Sequence, residues 1–131
     1  MEFRIEPASR LPIYRQLGRQ LREAVARGKV QPEDRLPSVR ELSRRLVVNP
    51  NTVARAYTEL EREGLLHTRP GRGVFVARSK PELTRRVRQE RLEKLLDHFL
   101  TEAVHLGFSA SEVITRVTER TRQFHWQADD H

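Results

Sequence analysis

Asn51, Thr52, Arg55, Thr58, Glu59 and Arg62 recur at a spacing that places them on one side of a helix turning about 100° per residue. An amide, a hydroxyl and a guanidinium along one edge form a surface suited to base edges. Asparagine pairs bidentately with adenine, arginine with guanine, and threonine touches a thymine methyl or a phosphate. Thr52 and Glu59 also have a plainer reading, as solvated surface. The other side carries Val53, Ala56, Tyr57 and Leu60 at i, i+3, i+4 and i+7, which is one buried face.

The flanking residues define the rod that carries this edge. Asn49 is a good N-cap, since its side chain can accept a bond from a free N–H of the first turn. Pro50 suits the first helical position, where its missing N–H costs nothing. Gly64 can take the left-handed conformation that ends a helix. Upstream, Ser38 and Glu41 have capping-box spacing, and Val39, Leu42 and Leu46 give a short helix one apolar side. The turn Leu46–Val48 leads directly into Asn49. Two capped helices joined by a tight turn, the second with a polar outer face, form a helix-turn-helix pattern.

Before this pair, Phe3 and Ile5 alternate with charged residues, which suggests a short extended segment. Ile13, Leu17, Leu21, Ala24 and Val25 then keep helical spacing from Pro12 to Arg27, and Gly28 stops the helix. Gly18 inside it costs about 1 kcal/mol against Ala and suggests a close helix–helix approach. The segment KVQPEDRLP reads as a loop. After Gly64, the runs Leu65-Leu66 and Val74-Phe75-Val76 flank His67-Thr68-Arg69-Pro70-Gly71-Arg72-Gly73, which reads as a hairpin with a basic tip. Arg69 and Arg72 at such a tip can reach phosphates or a minor groove. An ordinary solvated turn is the alternative; the preceding helix-turn-helix favours the nucleic-acid reading.

Charge points the same way. The chain has 131 residues and a net charge of +7. Residues 1–78 carry sixteen Lys and Arg against nine Asp and Glu, whereas residues 79–131 carry nine of each. The whole excess lies with the helix-turn-helix and hairpin, which implies attraction to a polyanion. There is no cysteine, so disulfides and thiolate metal sites are excluded. No apolar run approaches the ~18 residues of a membrane span, and the N-terminus lacks an apolar signal core. A cytoplasmic location is expected.

The C-terminal third opens on a polar linker, Arg78–Pro81. A long helical pattern follows, with Leu92, Leu95, Leu96, Phe99, Leu100, Ala103 and Leu106 before Gly107. Its early Arg85, Arg86, Arg88 and Arg91 suit either a solvated face or a place near DNA. Ser109 and Glu112 cap a second helix, with a staple between Phe108 and Val113, and Val113, Ile114, Val117 and Phe124 along its apolar side. The tail Ala128–His131 is expected to fray. Two helices joined by a tight turn cannot enclose both apolar faces, so they must pack on the rest of the chain or on a second copy. A dimer is favoured, held by Leu92, Leu95, Leu96, Phe99, Leu100, Ala103, Val113 and Val117, because pairing two weak sites raises affinity through effective concentration. Asp97, His98, Glu102 and His105 raise the question of a metal, but a polar stripe explains them better. No metal and no cofactor are expected. Any small-molecule effector is unknown.

These residues resemble the GntR family of bacterial transcription regulators over roughly Pro12 to Ala77. The resemblance is carried by Pro12-Ile13-Tyr14, Leu36-Pro37-Ser38 with Arg40-Glu41-Leu42, Asn49-Pro50-Asn51-Thr52-Val53, Tyr57, Leu60-Glu61-Arg62-Glu63-Gly64 and Gly71-Arg72-Gly73. The Asn-Pro-Asn-Thr-Val run and the short C-terminal region look most like the YtrA subfamily. The resemblance implies a winged helix-turn-helix, a homodimer, a palindromic double-stranded operator, and DNA-contact roles for Ser38, Arg40, Asn51, Thr52 and Gly71. Other branches carry Arg at the positions of Pro50 and Ala54, so base reading must shift here. Glu33 stands where the family usually has Gly, which suggests a differently shaped loop.

The expected fold is therefore mainly α with a small β-hairpin: a winged helix-turn-helix over residues 1–77, then a two-helix dimerisation or effector hairpin over 78–131. The expected function is a sequence-specific DNA-binding repressor, with Ser38, Arg40, Asn49, Asn51, Thr52, Arg55, Arg69, Gly71 and Arg72 at the DNA. The alternative is a winged module for non-specific DNA binding or protein interaction. An enzyme is not expected. One family branch carries an aminotransferase-like domain, but only 54 residues follow Ala77, and no catalytic triad or phosphate-cradling glycine motif is present.

Overall fold

The computed structural model describes residues 2–78 and 85–126, so most of the expected linker and all of the expected fraying tail at Ala128–His131 lie outside the described residues. The element order is α1 (Ile13–Ala26), α2 (Val39–Leu46), α3 (Pro50–Arg62), β1 (Leu66–Arg69), β2 (Gly73–Val76), α4 (Arg85–His105) and α5 (Ala110–Thr121). Two compact units result: residues 2–78 together with 125–126, and residues 85–124.

The first unit is a winged helix-turn-helix. Its core joins Leu17 and Leu21 of α1, Leu42 of α2, Val53, Ala56, Tyr57 and Leu60 of α3, and Leu66 and Val76 of the hairpin. Each fully buried Leu or Val contributes roughly 1.5–3 kcal/mol relative to exposure, so this cluster sets the position of α3. The Tyr57 hydroxyl donates to the Pro37 carbonyl at 2.7 Å and ties α3 to the segment before α2. Burial holds the Tyr57 pKa above the usual phenol value, so the group remains a donor.

The caps at Ser38 and Asn49 form, but the Glu41 side chain returns no bond to Ser38 N–H, so the expected capping box is half made. Ser38 Oγ accepts the Glu41 N–H at 3.0 Å, and Asn49 Oδ1 accepts the Asn51 N–H at 2.8 Å. The turn between α2 and α3 passes through Val47, at φ 55 and 89% exposed. A β-branched residue is strained in this left-handed region.

Phe3 and Ile5 pack on the core, but their segment joins no strand. Side-chain amides take that place. Gln16 Oε1 accepts the Glu6 N–H and its Nε2 donates to the Glu6 and Leu11 carbonyls, while Gln20 brackets the Arg4 backbone in the same way. Gly18 marks no close approach, since a Cβ added there would meet nothing within 4 Å.

The loop between α1 and α2 contributes to the wing. β1 and β2 pair antiparallel with Arg69 opposite Gly73, and Arg35 forms a further antiparallel bridge to Phe75. Glu33 N–H donates to the Val76 carbonyl at 2.8 Å, Val76 N–H to Asp34, and Leu36 N–H to Val74. Residues 33–36 thus lie along β2 as a rudimentary third strand.

The second unit is the helical hairpin α4–α5. Gly107, at φ 87, follows α4, and a complete capping box at Ser109 and Glu112 starts α5. Ala103 is buried, at 6% exposure, and Val113 is half-buried. Leu92, Leu95, Leu96, Phe99, Leu100, Ile114 and Val117 all remain 40% exposed or more. Phe99, Ala103, Leu106, Phe108 and Val113 line one groove of this unit.

The strain at Val47 gives a stability prediction. Asparagine tolerates the left-handed region through local side-chain hydrogen bonding, so Val47→Asn should stabilise the protein by about 1 kcal/mol and raise its thermal midpoint by roughly 3–5 °C. Calorimetry on the full chain checks this; an unchanged or lower midpoint would show that the Val47 turn stores no such strain.

Candidate nucleic-acid interface

The outward side of α3 begins at its cap. Asn49 and Asn51 are exposed, Thr52 is half-buried, and Arg55 follows one turn later. Asn49 has committed its side-chain oxygen to Asn51 N–H, which leaves its amide nitrogen as its outward donor. Asn51 uses its backbone in that bond and presents a whole side-chain amide.

Arg55 is held from the side. Its guanidinium carbon lies 3.8 Å from the centroid of the Tyr14 ring, on α1. Its Nε is 3.8 Å from Glu59 Oε1, one turn further along α3. A guanidinium stacked by its face keeps its in-plane N–H groups for other partners, and those groups make bidentate contacts. The Tyr14 hydroxyl in turn accepts Arg15 Nε–H at 3.2 Å. Tyr14 thus gathers two cations where α1 begins beside α3. Periodicity within α3 alone does not reveal this stack, because Tyr14 belongs to a different helix, far away in the chain.

Ser38 is half-buried and serves as the cap of α2, while Arg40 stands exposed in the first turn of that helix. In the wing, Gly71 has φ 75 and Gly73 φ 126. Both values favour glycine, so the Pro70–Gly73 tip turns tightly with Arg72 exposed. Among the described residues, neither Arg40 nor Arg72 has an acidic partner in an ion pair. Arg35 adds a cation that sequence reasoning missed: its Nε would lie 3.0 Å from a Cβ at Gly73.

Arg69 is placed differently from Arg72. Its Nη2 lies 2.6 Å from Glu33 Oε2, and its guanidinium carbon is 5.0 Å from the Phe75 ring centroid. Glu33 also stands 3.7 Å from Arg78 Nε and 3.8 Å from His67 Nε2. Its φ of 73 is one a glycine would take without strain, so the glutamate keeps the left-handed turn and adds a carboxylate to the wing.

The exposed start of α3 is therefore an edge of amides and the Arg55 guanidinium, and Arg40, Arg72 and Arg35 stand exposed on the neighbouring elements. Such a surface can hydrogen-bond base edges and neutralise phosphates. Among the described residues no cluster of three metal-ligating side chains occurs, and no helix is long and apolar enough to cross a membrane.

Comparison with known proteins follows the same line. Residues 13–76 match the family model "Bacterial regulatory proteins, gntR family". The HTH-type transcriptional repressor YtrA of Bacillus subtilis (strain 168) is 38% identical over 105 residues, covering 80% of this chain and 81% of that protein. A transcriptional antiterminator from Listeria monocytogenes EGD-e superposes with a TM-score of 0.77 at 30% identity, over 100% of this chain and 98% of that one. AraR(DBD), solved in complex with operator ORX1, superposes with a TM-score of 0.53 at 31% identity, over 59% of this chain and 96% of that one.

The Tyr14–Arg55 stack has a direct spectroscopic consequence. Tyr14→Leu keeps apolar bulk but removes the ring face. The Arg55 Nε–H resonance should lose its ring-current displacement and move to the position of a solvated arginine, with the rest of α3 little changed. An Arg55 Nε–H shift identical in the two proteins would show that the stack is not populated in solution.

Proposed function

Because the chain belongs to the GntR family of bacterial regulatory proteins and is a YtrA-like DNA-binding transcription regulator, we infer that it is a repressor that occupies a palindromic operator as a homodimer. The observation that carries this reading is the exposed amide-and-guanidinium edge of α3, fixed from behind by Val53, Ala56, Tyr57 and Leu60. Asn51 reads adenine and Arg55 reads guanine or holds a phosphate, with Thr52 beside them. Asn49, Ser38 and Arg40 meet the DNA backbone at the two helix starts, where free N–H groups favour anions. Arg72 and Gly71 bring the wing tip to the neighbouring groove, and Arg69 adds a further phosphate contact. The operator in the AraR(DBD) structure belongs to that protein; it supports this docking for a related fold.

The second unit supports the homodimer. Leu92, Leu95, Leu96, Phe99, Leu100 and Val117 leave an apolar face on α4 and α5 that a copy of the same hairpin would cover. Ala103, buried, and Val113, half-buried, line the groove beside Phe99 and Phe108 and belong to the same proposed interface. Repression follows from occupancy: a dimer seated on promoter DNA excludes polymerase. Such binding needs no cofactor, and its place is the cytoplasm, where the DNA is.

Selection of bound fragments from genomic DNA, with solution mass measured on the same sample, tests the whole reading. It should yield a two-fold symmetric sequence and a mass of two chains. Equal affinity for selected and scrambled duplexes would instead point to a non-specific module.

On the selected site, Asn51→Ala should cost about 1–3 kcal/mol, with little loss on scrambled DNA. Arg72→Ala should weaken both and reduce the slope of log affinity against log salt by about 0.9 for each phosphate no longer neutralised. Leu95→Glu adds a charge where the hairpin is already exposed, so folding should survive. Sedimentation should then give the mass of one chain. A dimer that withstands this change would place the interface elsewhere.

A further inference from the structure

Glu33 is the one acid in the wing's immediate surroundings that faces three cationic or titratable side chains, those of Arg69, Arg78 and His67, among the described residues. Its backbone bonds to Val76, at the base of the hairpin, while Arg69 sits opposite Gly73, at the tip. The two positions are three residues apart along the strand, or about 10 Å. The Arg69 side chain therefore runs backwards along the outer face, over Phe75, to reach the carboxylate. Arg72, on the same tip, has no such partner among the described residues and stays exposed.

We propose that Glu33 is an internal counter-ion that competes with DNA phosphate for Arg69 and thereby sets the affinity of the wing. In the free protein Arg69 is folded back on Glu33. On DNA it leaves the carboxylate and swings toward the tip, where a phosphate replaces the acid. The exchange is feasible because the ion pair remains in contact with water, with side-chain exposures of 45% and 35%. Exposed pairs of this kind are weak and screened by salt. Phosphate and carboxylate oxygens both accept guanidinium N–H groups, so a phosphate can replace the acid once the side chain has swung. Glu33 keeps a left-handed φ of 73 that a glycine would hold without strain. The position thus combines a conformational cost with a charge opposed to DNA, and weakened, salt-tunable binding is the physical consequence of that charge.

This inference rests on the wing reaching DNA, and one experiment separates the two ideas. The full-length protein is titrated onto a fluorescent duplex of mixed sequence, about three helical turns long, across a salt series. The variants are Glu33→Gln, which keeps length and backbone strain, Arg69→Ala, and the double variant. Glu33→Gln should tighten binding about two- to fivefold per wing, the range expected for release of one exposed ion pair, and the gain should vanish in the Arg69→Ala background. Glu33→Gly should bind as tightly as Glu33→Gln and melt at higher temperature.

Weaker binding by Glu33→Gln would mean the carboxylate shapes the wing for DNA, and would overturn the proposal. So would unchanged binding. A gain that persists without Arg69 would assign the effect to the general field of the charge and would overturn it as well. If the unmodified protein shows no salt-dependent binding at all, the DNA reading fails and this one fails with it.

Discussion

The structure depends on burying one side of α3 while leaving the other bare. Leu17 and Leu21 of α1 meet Ala56, Tyr57 and Leu60 of α3 in a continuous core, and Leu42, Leu66 and Val76 close it from the neighbouring elements. The energies explain why this packing dominates. Each buried aliphatic side chain contributes roughly 1.5–3 kcal/mol, whereas an exposed ion pair such as Arg55–Glu59 contributes ~0–1 kcal/mol. Apolar packing therefore fixes where the recognition edge points. The exposed charges from Arg40 to Arg72 contribute too little to place it.

The wing follows a related logic with less core behind it. A two-stranded hairpin is marginal alone in water. Here it is anchored by Leu66 and Val76 and widened by the pairing of residues 33–36 with β2. That pairing brings Arg35 over Gly73 and Glu33 beside Arg69. The loop after α1 therefore sets both the shape and the local charge of the tip, although two helices separate them in the chain.

This separation marks the limit of what the sequence discloses. Features set by neighbours in the chain are legible. The caps at Ser38, Asn49 and Ser109, the stops at Gly28, Gly64 and Gly107, and the tight tip at Gly71 and Gly73 all follow from backbone preferences of single residues. The split of α3 into a buried and an exposed side follows from its period. Pairings between remote residues leave no such trace. The stack of Arg55 on Tyr14, the bridge from Arg35 to Phe75, and the amides of Gln16 and Gln20 holding the N-terminal segment all require the tertiary fold to exist first. Gly18 shows the opposite error: a glycine in a helix suggests a close neighbour where the fold leaves open space. Val47 is opaque for a third reason, since nothing about valine signals a positive φ, whereas Glu33 stands out only through the glycine usual at its position in the family.

The arithmetic of recognition gives the proposed homodimer a physical reason, if the edge of α3 is the surface that reads DNA. A genome offers on the order of 10⁶–10⁹ competing sites, so selecting one requires roughly 8–12 kcal/mol of discrimination. The edge of α3 holds two side chains able to make bidentate base contacts, Asn51 and Arg55. At about 1–3 kcal/mol each, they supply roughly 2–6 kcal/mol, short of the requirement. The phosphate contacts proposed for the wing would add affinity but carry no direct sequence information. Longer recognition by the same helix is not available, because a recognition helix meets base edges mainly through its N-terminal residues. A second copy of the same edge doubles the discrimination to about 4–12 kcal/mol and brings it into the required range. On this reading the exposed leucines of α4 supply the part of specificity that no residue of α3 can, by fixing two short edges into one reading unit.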